Sequence, residues 1–316
     1  MTPKSRKLIL FGLISLLILL TITFGLYIPY LKAYNLVHPT RRPFERSPAD
    51  VGISGYEDAQ FVTSDGLTLK GWYIPPAPLA SPHFPPNFAE NGGNDGGVVI
   101  FVHGLGSDRA ELLDEAGFII AHGYGALLFD MRACGQSEGN VSTMGYEERR
   151  DIRAAIDFVR LKAGADAPLA LLGHSMGASA SLLAAAEMPE IRAVVAESPF
   201  TTLEDNISDG VLALTGLPPF PFAPLVVFFG QQQAGVDIRL VRPLDVIGQI
   251  SPRAVLLIHG AKDSVIPVRN SYALYEAAGE PKQLYILPEV RHGGFLQAEP
   301  ELFPKTILDF LAAYLK

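Results

Sequence analysis

The sequence predicts an α/β protein: a mostly parallel central sheet flanked by helices, with an insertion between late strands and one apolar segment ahead of the sheet. Three observations carry this reading. Short, wholly apolar runs at residues 98–102, 126–129, 169–172 and 193–196 alternate with helix-like stretches at 109–121 and 146–163. Further runs at 255–258 and 283–287, and an amphipathic stretch at 303–314, continue the pattern. Strands apolar on both faces need helices on both sides, which is the arrangement of a buried parallel sheet. Second, the run at 169–172 passes through Gly173-His174-Ser175-Met176-Gly177 directly into an alanine-rich helix. Third, after Lys4, Arg6 and Lys7 no charge occurs from Leu8 to Leu31.

The chain has 316 residues, enough for one large α/β domain plus an appendage. A net charge of −8 gives no reason to expect nucleic acid as a partner. Cys134 is the single cysteine, which excludes an intrachain disulfide and a cysteine-rich metal site, and it reads as a small buried apolar residue. Residues 1–31 read as an N-terminal transmembrane anchor, with Tyr27 and Tyr30 placed as interfacial residues. A cleaved signal peptide is the rival reading, but no small-x-small site stands out near residues 25–33. Lys32, Arg41, Arg42 and Arg46 follow the span closely, so basic residues flank it on both sides. The orientation adopted puts the N-terminus in the cytoplasm and the globular domain outside.

Residues 32–55, with Pro39, Pro43 and Pro48, suit a linker. Two β-like segments at 59–63 and 67–74 flank Ser64-Asp65-Gly66, a hairpin signal. Residues 75–97, rich in proline, asparagine and glycine, read as a mobile surface loop in which His83 is solvated. The globular domain is placed at 56–316, with an insertion at about 199–250.

The Gly-x-Ser-x-Gly run has the context of a nucleophile elbow, a tight strand-to-helix turn that lifts the Ser175 hydroxyl out of the sheet. A serine needs a base, and the seven histidines sort by position. His38 lies beside the membrane and His83 in the loop. His122 ends a helix, His174 is fixed beside the serine, and His103 and His259 end strands. His292 alone falls in a glycine-bearing loop after the last strand. Asp263, in the loop after the preceding strand, is the acid that would orient it, with Glu197 and Glu289 as rivals. For an oxyanion, the Met176 N–H and one from His103-Gly104-Leu105-Gly106 are the donors. Leu105 is favoured, and Gly104 and Gly106 remain open.

These parts resemble the α/β-hydrolase fold family from about Glu57 to Lys316. More narrowly, the chain looks like membrane-anchored and bacterial hydrolases of the serine-aminopeptidase group. The narrower match rests on His103-Gly104-Leu105-Gly106-Ser107, Asp130-Met131-Arg132-Ala133-Cys134-Gly135-Gln136-Ser137, the elbow, His259-Gly260 with Asp263 and Ile266-Pro267, and His292. Where that family usually reads Arg-Gly-x-Gly-x-Ser, Ala133 replaces the first glycine. The resemblance implies a catalytic triad of Ser175, Asp263 and His292, an oxyanion hole from Leu105 and Met176, and a loop-shaping role for Arg132, Gly135 and Ser137. It also implies that the proline-rich apolar insertion from Leu217 to Phe229 is a cap over the site. The expected function is a membrane-anchored serine hydrolase of esters or thioesters through an acyl-enzyme, acting on a small-molecule or acyl substrate without cofactor or metal. A serine peptidase and a non-catalytic binding module that keeps the fold are the alternatives.

Overall fold

The computed structural model describes residues 3–41, 45–53, 55–76, 97–216 and 218–315. Most of the loop expected at 75–97, with His83, lies outside the described residues, as do Arg42, Pro43 and Leu217. The chain opens with helix α1 (Pro3–Val37). Strands β1 (Glu57–Val62) and β2 (Thr68–Ile74) form a hairpin whose turn closes where Leu67 O accepts from Thr63 N–H at 2.9 Å. Then follow β3 (Val98–Val102), α2 (Leu113–Ala121), β4 (Gly125–Phe129), α3 (Glu148–Ala163), β5 (Leu169–His174), α4 (Met176–Glu187) and β6 (Ile191–Glu197). Helices α5 (Leu203–Thr215), α6 (Pro219–Ala234) and α7 (Pro243–Val246) occupy the expected insertion. The chain closes with β7 (Ala254–Gly260), α8 (Arg269–Ala277), β8 (Lys282–Leu287), α9 (Phe295–Ala298) and α10 (Leu302–Tyr314).

The eight strands form one sheet in the order β1-β2-β4-β3-β5-β6-β7-β8. The β1–β2 and β2–β4 pairings are antiparallel, and all the others are parallel. The apolar runs are buried because alternate side chains enter opposite layers. In β3, Val98, Ile100 and Val102 join the core built with α3, α4 and the insertion, whereas Val99 and Phe101 join the core built with α2 and α10. Parallel register brings the C-terminal ends of β3, β5, β6, β7 and β8 to one edge of the sheet, where sites of open α/β sheets lie.

Helix α1 is long and apolar enough to cross a membrane, with a mean hydropathy of 2.6 in its best window. It runs past residue 31 to Val37, so the first residues read as linker are helical. Val37 and Arg41 are held against the domain. Val37 O accepts from Ser142 N–H at 2.7 Å, and Arg41 donates to the carbonyls of Gly135, Ser137 and Gly139. A proline-bearing polar composition fits a tether. The carbonyls that receive Arg41 lie about a hundred residues away and leave no local mark.

Candidate active site

The Ser175 backbone adopts φ 55°, ψ −118°, in the left-handed half of conformational space, between the end of β5 and the start of α4. The flanking glycines are required by contact. A Cβ on Gly173 would sit 2.5 Å from Gly177 O, and one on Gly177 would sit 2.0 Å from Val102 O. The turn is pinned by the Ser175 N–H donating to Glu197 O at 2.8 Å. Strain of this kind persists only where surrounding packing over-determines it, as at functional turns.

The structure brings Ser175, His292 and Asp263 into one hydrogen-bonded chain. Ser175 Oγ lies 2.9 Å from His292 Nε2, and His292 Nδ1 lies 2.7 Å from Asp263 Oδ2. Asp263 Oδ1 accepts the N–H groups of Val265 and Ile266, each at 2.8 Å. Its side chain is fully buried. Burial alone would raise its pKa, but hydrogen bonds from His259 and His292 hold it well below the usual carboxylate range. His259 Nε2 donates to Ile266 O at 2.8 Å and stands 3.3 Å from Asp263 Oδ2, while the Ser271 hydroxyl donates to its Nδ1 at 2.7 Å. Held as an anion, Asp263 favours the His292 tautomer that leaves Nε2 free to accept the serine proton.

The rival acids sit elsewhere. Glu289 is exposed and pairs with Lys262. Glu197 is buried at the end of β6, where burial and the neighbouring Glu115 hold its pKa well above the ordinary value. Among the oxyanion candidates, the Gly104 N–H is already donated to Glu111 Oε2 at 2.5 Å. That bond leaves Leu105 and Gly106 as the candidates on this loop. His103 is a structural partner: its Nδ1 donates to Gly104 O at 2.7 Å, and its Nε2 accepts from Met131 N–H at 3.0 Å.

Asp130 and Arg132 shape the neighbouring loop. Asp130 pairs with buried Arg109 at 2.6 Å, and Arg132 pairs with Asp151 at 2.8 Å and with Asp65 at 3.0 Å. A Cβ at Gly135 would sit 2.2 Å from Asp130 Oδ2. The Ser137 hydroxyl donates to Asp130 O at 2.6 Å. Ala133 accepts φ 61°, the strained region where a glycine would be free. Burial pushes the Cys134 thiol up to about 12, which leaves it protonated and inert.

One group of residues was missed by the sequence reading. His174 Nε2 donates to the backbone carbonyl of His292 at 2.7 Å, and its Nδ1 lies 3.6 Å from Glu111 Oε1. Burial would lower the His174 pKa, but the Glu111 carboxylate overrides it and raises it to about 9. Burial would likewise raise Glu111, and His174 draws it down to about 2. The ion pair therefore joins the loop after β3, through the Gly104 N–H, to the loop that carries His292. Glu115 lies nearby, and burial raises its pKa to about 7. The signal in sequence was only the histidine inside the elbow, because Glu111 is 63 positions earlier and reads as an ordinary helix-start acid. Among the described residues, no cluster of histidine, cysteine and carboxylate groups is arranged to hold a metal.

A parallel sheet with this strand order and a serine on a strained strand-to-helix turn at its C-terminal edge define an α/β-hydrolase. The chain has the α/β-hydrolase fold. Within it, residues 93–225 match the family model for serine aminopeptidase, S33. The uncharacterized protein YqkD of Bacillus subtilis is 29% identical over 248 residues, covering 78% of this chain and 76% of YqkD. The uncharacterized protein YfhR of Salmonella typhi is 27% identical over 311 residues, 94% of each chain. Among solved structures, the Pyrococcus furiosus esterase Pf2001 superposes with a TM-score of 0.70 at 25% identity, over 89% of this chain and 99% of its own.

Proposed function

We propose that the protein is a membrane-anchored serine hydrolase that cleaves carboxylic ester or thioester bonds through an acyl-enzyme. The observation that carries this reading is the continuous Ser175–His292–Asp263 chain, at 2.9 and 2.7 Å, ending on a buried ionised carboxylate. His292 Nε2 takes the Ser175 proton as Oγ bonds to the acyl carbon. The oxyanion is received by the N–H groups of Leu105 and Met176. The bond to the leaving group then breaks, and that group takes the proton from His292. A water deprotonated by His292 attacks the acyl-enzyme and returns Ser175 to its hydroxyl form.

Residues 1–31 act as the anchor, 32–55 join it to the hydrolase domain at 56–316, and the insertion at about 199–250 caps the site. Burial of Pro29 and the packing of Tyr30 on Phe229 support retention of the helix, because cleavage after the span would strip those contacts from the domain. The hydrolase domain lies on the extracytoplasmic side. The serine-aminopeptidase name of the matching family model favours a peptidase as the second reading.

Full-length protein in detergent is exposed to a fluorophosphonate probe, alongside Ser175→Ala and His292→Ala. Labelling should be strong in wild type and absent from both variants. A folded wild type that stays unlabelled overturns the serine-hydrolase reading in favour of a binding module. Ester, thioester and aminoacyl-peptide substrates then separate the two enzymatic readings, with peptides expected to be the slowest.

A further inference from the structure

A cavity of about 280 Å³ lies where the last turns of α1 meet α5 and α6. Its apolar wall is built by Leu36 of α1, Met144, Ile207, Val211, Val226 and Val265. The polar residues that line it are Lys32, Asn35 and Asn206. Few polar groups around an apolar hollow is the composition of a site for a chain-like apolar ligand.

Two contacts join this cavity to the proposed catalytic residues. The Val265 N–H donates to Asp263 Oδ1 at 2.8 Å, so one wall begins two residues beyond the acid. The Met144 N–H donates to Ser142 Oγ at 3.3 Å, and that hydroxyl lies 3.6 Å from the sulfur of Met176, the residue next to the nucleophile.

The cavity is also placed in depth relative to a bilayer. From Leu8 to Leu31 the helix is apolar and almost wholly exposed, a length of roughly 36 Å at 1.5 Å per residue. That exceeds a hydrocarbon core of about 30 Å, so Lys32 and Asn35 stand at headgroup level. Helix α1 is fixed there rather than merely tethered. Pro29, Ala33 and Val37, spaced four apart, are its buried residues, and Tyr30 packs edge-on against Phe229 with ring centroids 5.6 Å apart. Phe220 and Phe228 of α6 and Leu212 of α5 are exposed, apolar groups suited to contact with lipid.

We propose that this cavity binds the acyl chain of a bilayer-resident lipid ester, and that the anchor helix forms one wall of the acyl site. This deepens the hydrolase reading by naming the substrate class. Leu36 and its neighbours would then take part in substrate choice, and the chain would enter from the leaflet without crossing water.

Gly210 offers a direct test, because it lines the cavity on α5 and a Cβ added there meets nothing within 4 Å. Binding of 11-(dansylamino)undecanoic acid is measured by fluorescence on full-length Ser175→Ala protein in detergent, so it does not depend on the triad. Gly210→Phe and Leu36→Trp should each weaken binding at least tenfold, while Leu161→Phe, at an exposed position on α3, should not. Absence of binding, or equal binding by the cavity variants, overturns the proposal. In the active protein, Gly210→Phe should lower the ratio of kcat/KM for decanoyl over acetyl p-nitrophenyl esters at least tenfold, and an unchanged ratio overturns it. With the protein reconstituted in phosphatidylcholine vesicles, a fluorescent acyl phospholipid should be cleaved in the same vesicle and spared in separate ones. Equal cleavage in both overturns loading from the bilayer. Loss of fluorophosphonate labelling with dansyl-acid binding intact would instead count against the catalytic reading alone.

Discussion

At Ser175 the conformation and the hydrogen bonds converge on one oxygen, and most residue-scale expectations follow from that. Asp263 is buried, ionised and bonded to His292, so Asp263→Asn should present the wrong tautomer to the serine. A fall in kcat of about 10⁴-fold is expected, with little change in fold as read by circular dichroism. The ion pair behind the site has its own signature. His174 is raised to about 9, so the stability it contributes is complete below its unfolded value near 6.5 and is lost as pH climbs through 9. Glu111 is depressed to about 2, so its contribution holds above about 4.5 and disappears only as pH falls through 2. Glu115 is raised to about 7, so stability also declines from about pH 4.5 to 7 as that buried group loses its proton. Thermal melts of full-length protein should therefore show melting temperature falling from pH 6 to 10. Glu111→Gln should flatten the part of that fall above pH 7, and an unchanged slope would remove the pair from the account.

Among the elements, the strands were legible and their contacts were not. Runs such as 98–102 and 255–258 fall within β3 and β7, because a wholly apolar run of that length can be buried in few other ways. The stretch at 109–121 begins its helix only at Leu113, because Arg109 and its own N–H are drawn to Asp130. The β5–α4 junction yields the sharpest element-scale expectation. Gly177→Ala drives a methyl into Val102 O and displaces α4 from β3 and β5. A loss of at least about 3 kcal/mol, or failure to accumulate folded protein, should result, and a melting temperature within about 2 °C of wild type would refute it.

For the whole molecule, helix α1 and the α/β domain are packed together. Helix α1 meets α6 through Tyr30 on Phe229, and Pro29, Ala33 and Val37 are buried, while residues 6–28 are almost wholly exposed. Full-length protein should partition into the detergent phase and stay in the membrane pellet after alkaline carbonate. Replacing Leu16, Leu17 and Leu20 with lysine should abolish that retention, because each charge at mid-span costs about 3 kcal/mol. Retention of that triple variant would point to attachment through another surface.

The sequence by itself determined the mostly parallel sheet and the position of the elbow, because burial on both faces and a serine flanked by glycines are local constraints. It also marked Leu8–Leu31 as able to span a membrane, which depends only on length and the absence of charge. Tertiary structure alone decided which acid meets His292, since Asp263, Glu197 and Glu289 all follow strands and differ only in where register and loop path carry them. It alone revealed the pairing of Glu111 with His174 and the wall that α1 gives to the cavity. Those contacts join residues tens to hundreds of positions apart, and distance along a chain carries no record of proximity until the sheet has closed around it.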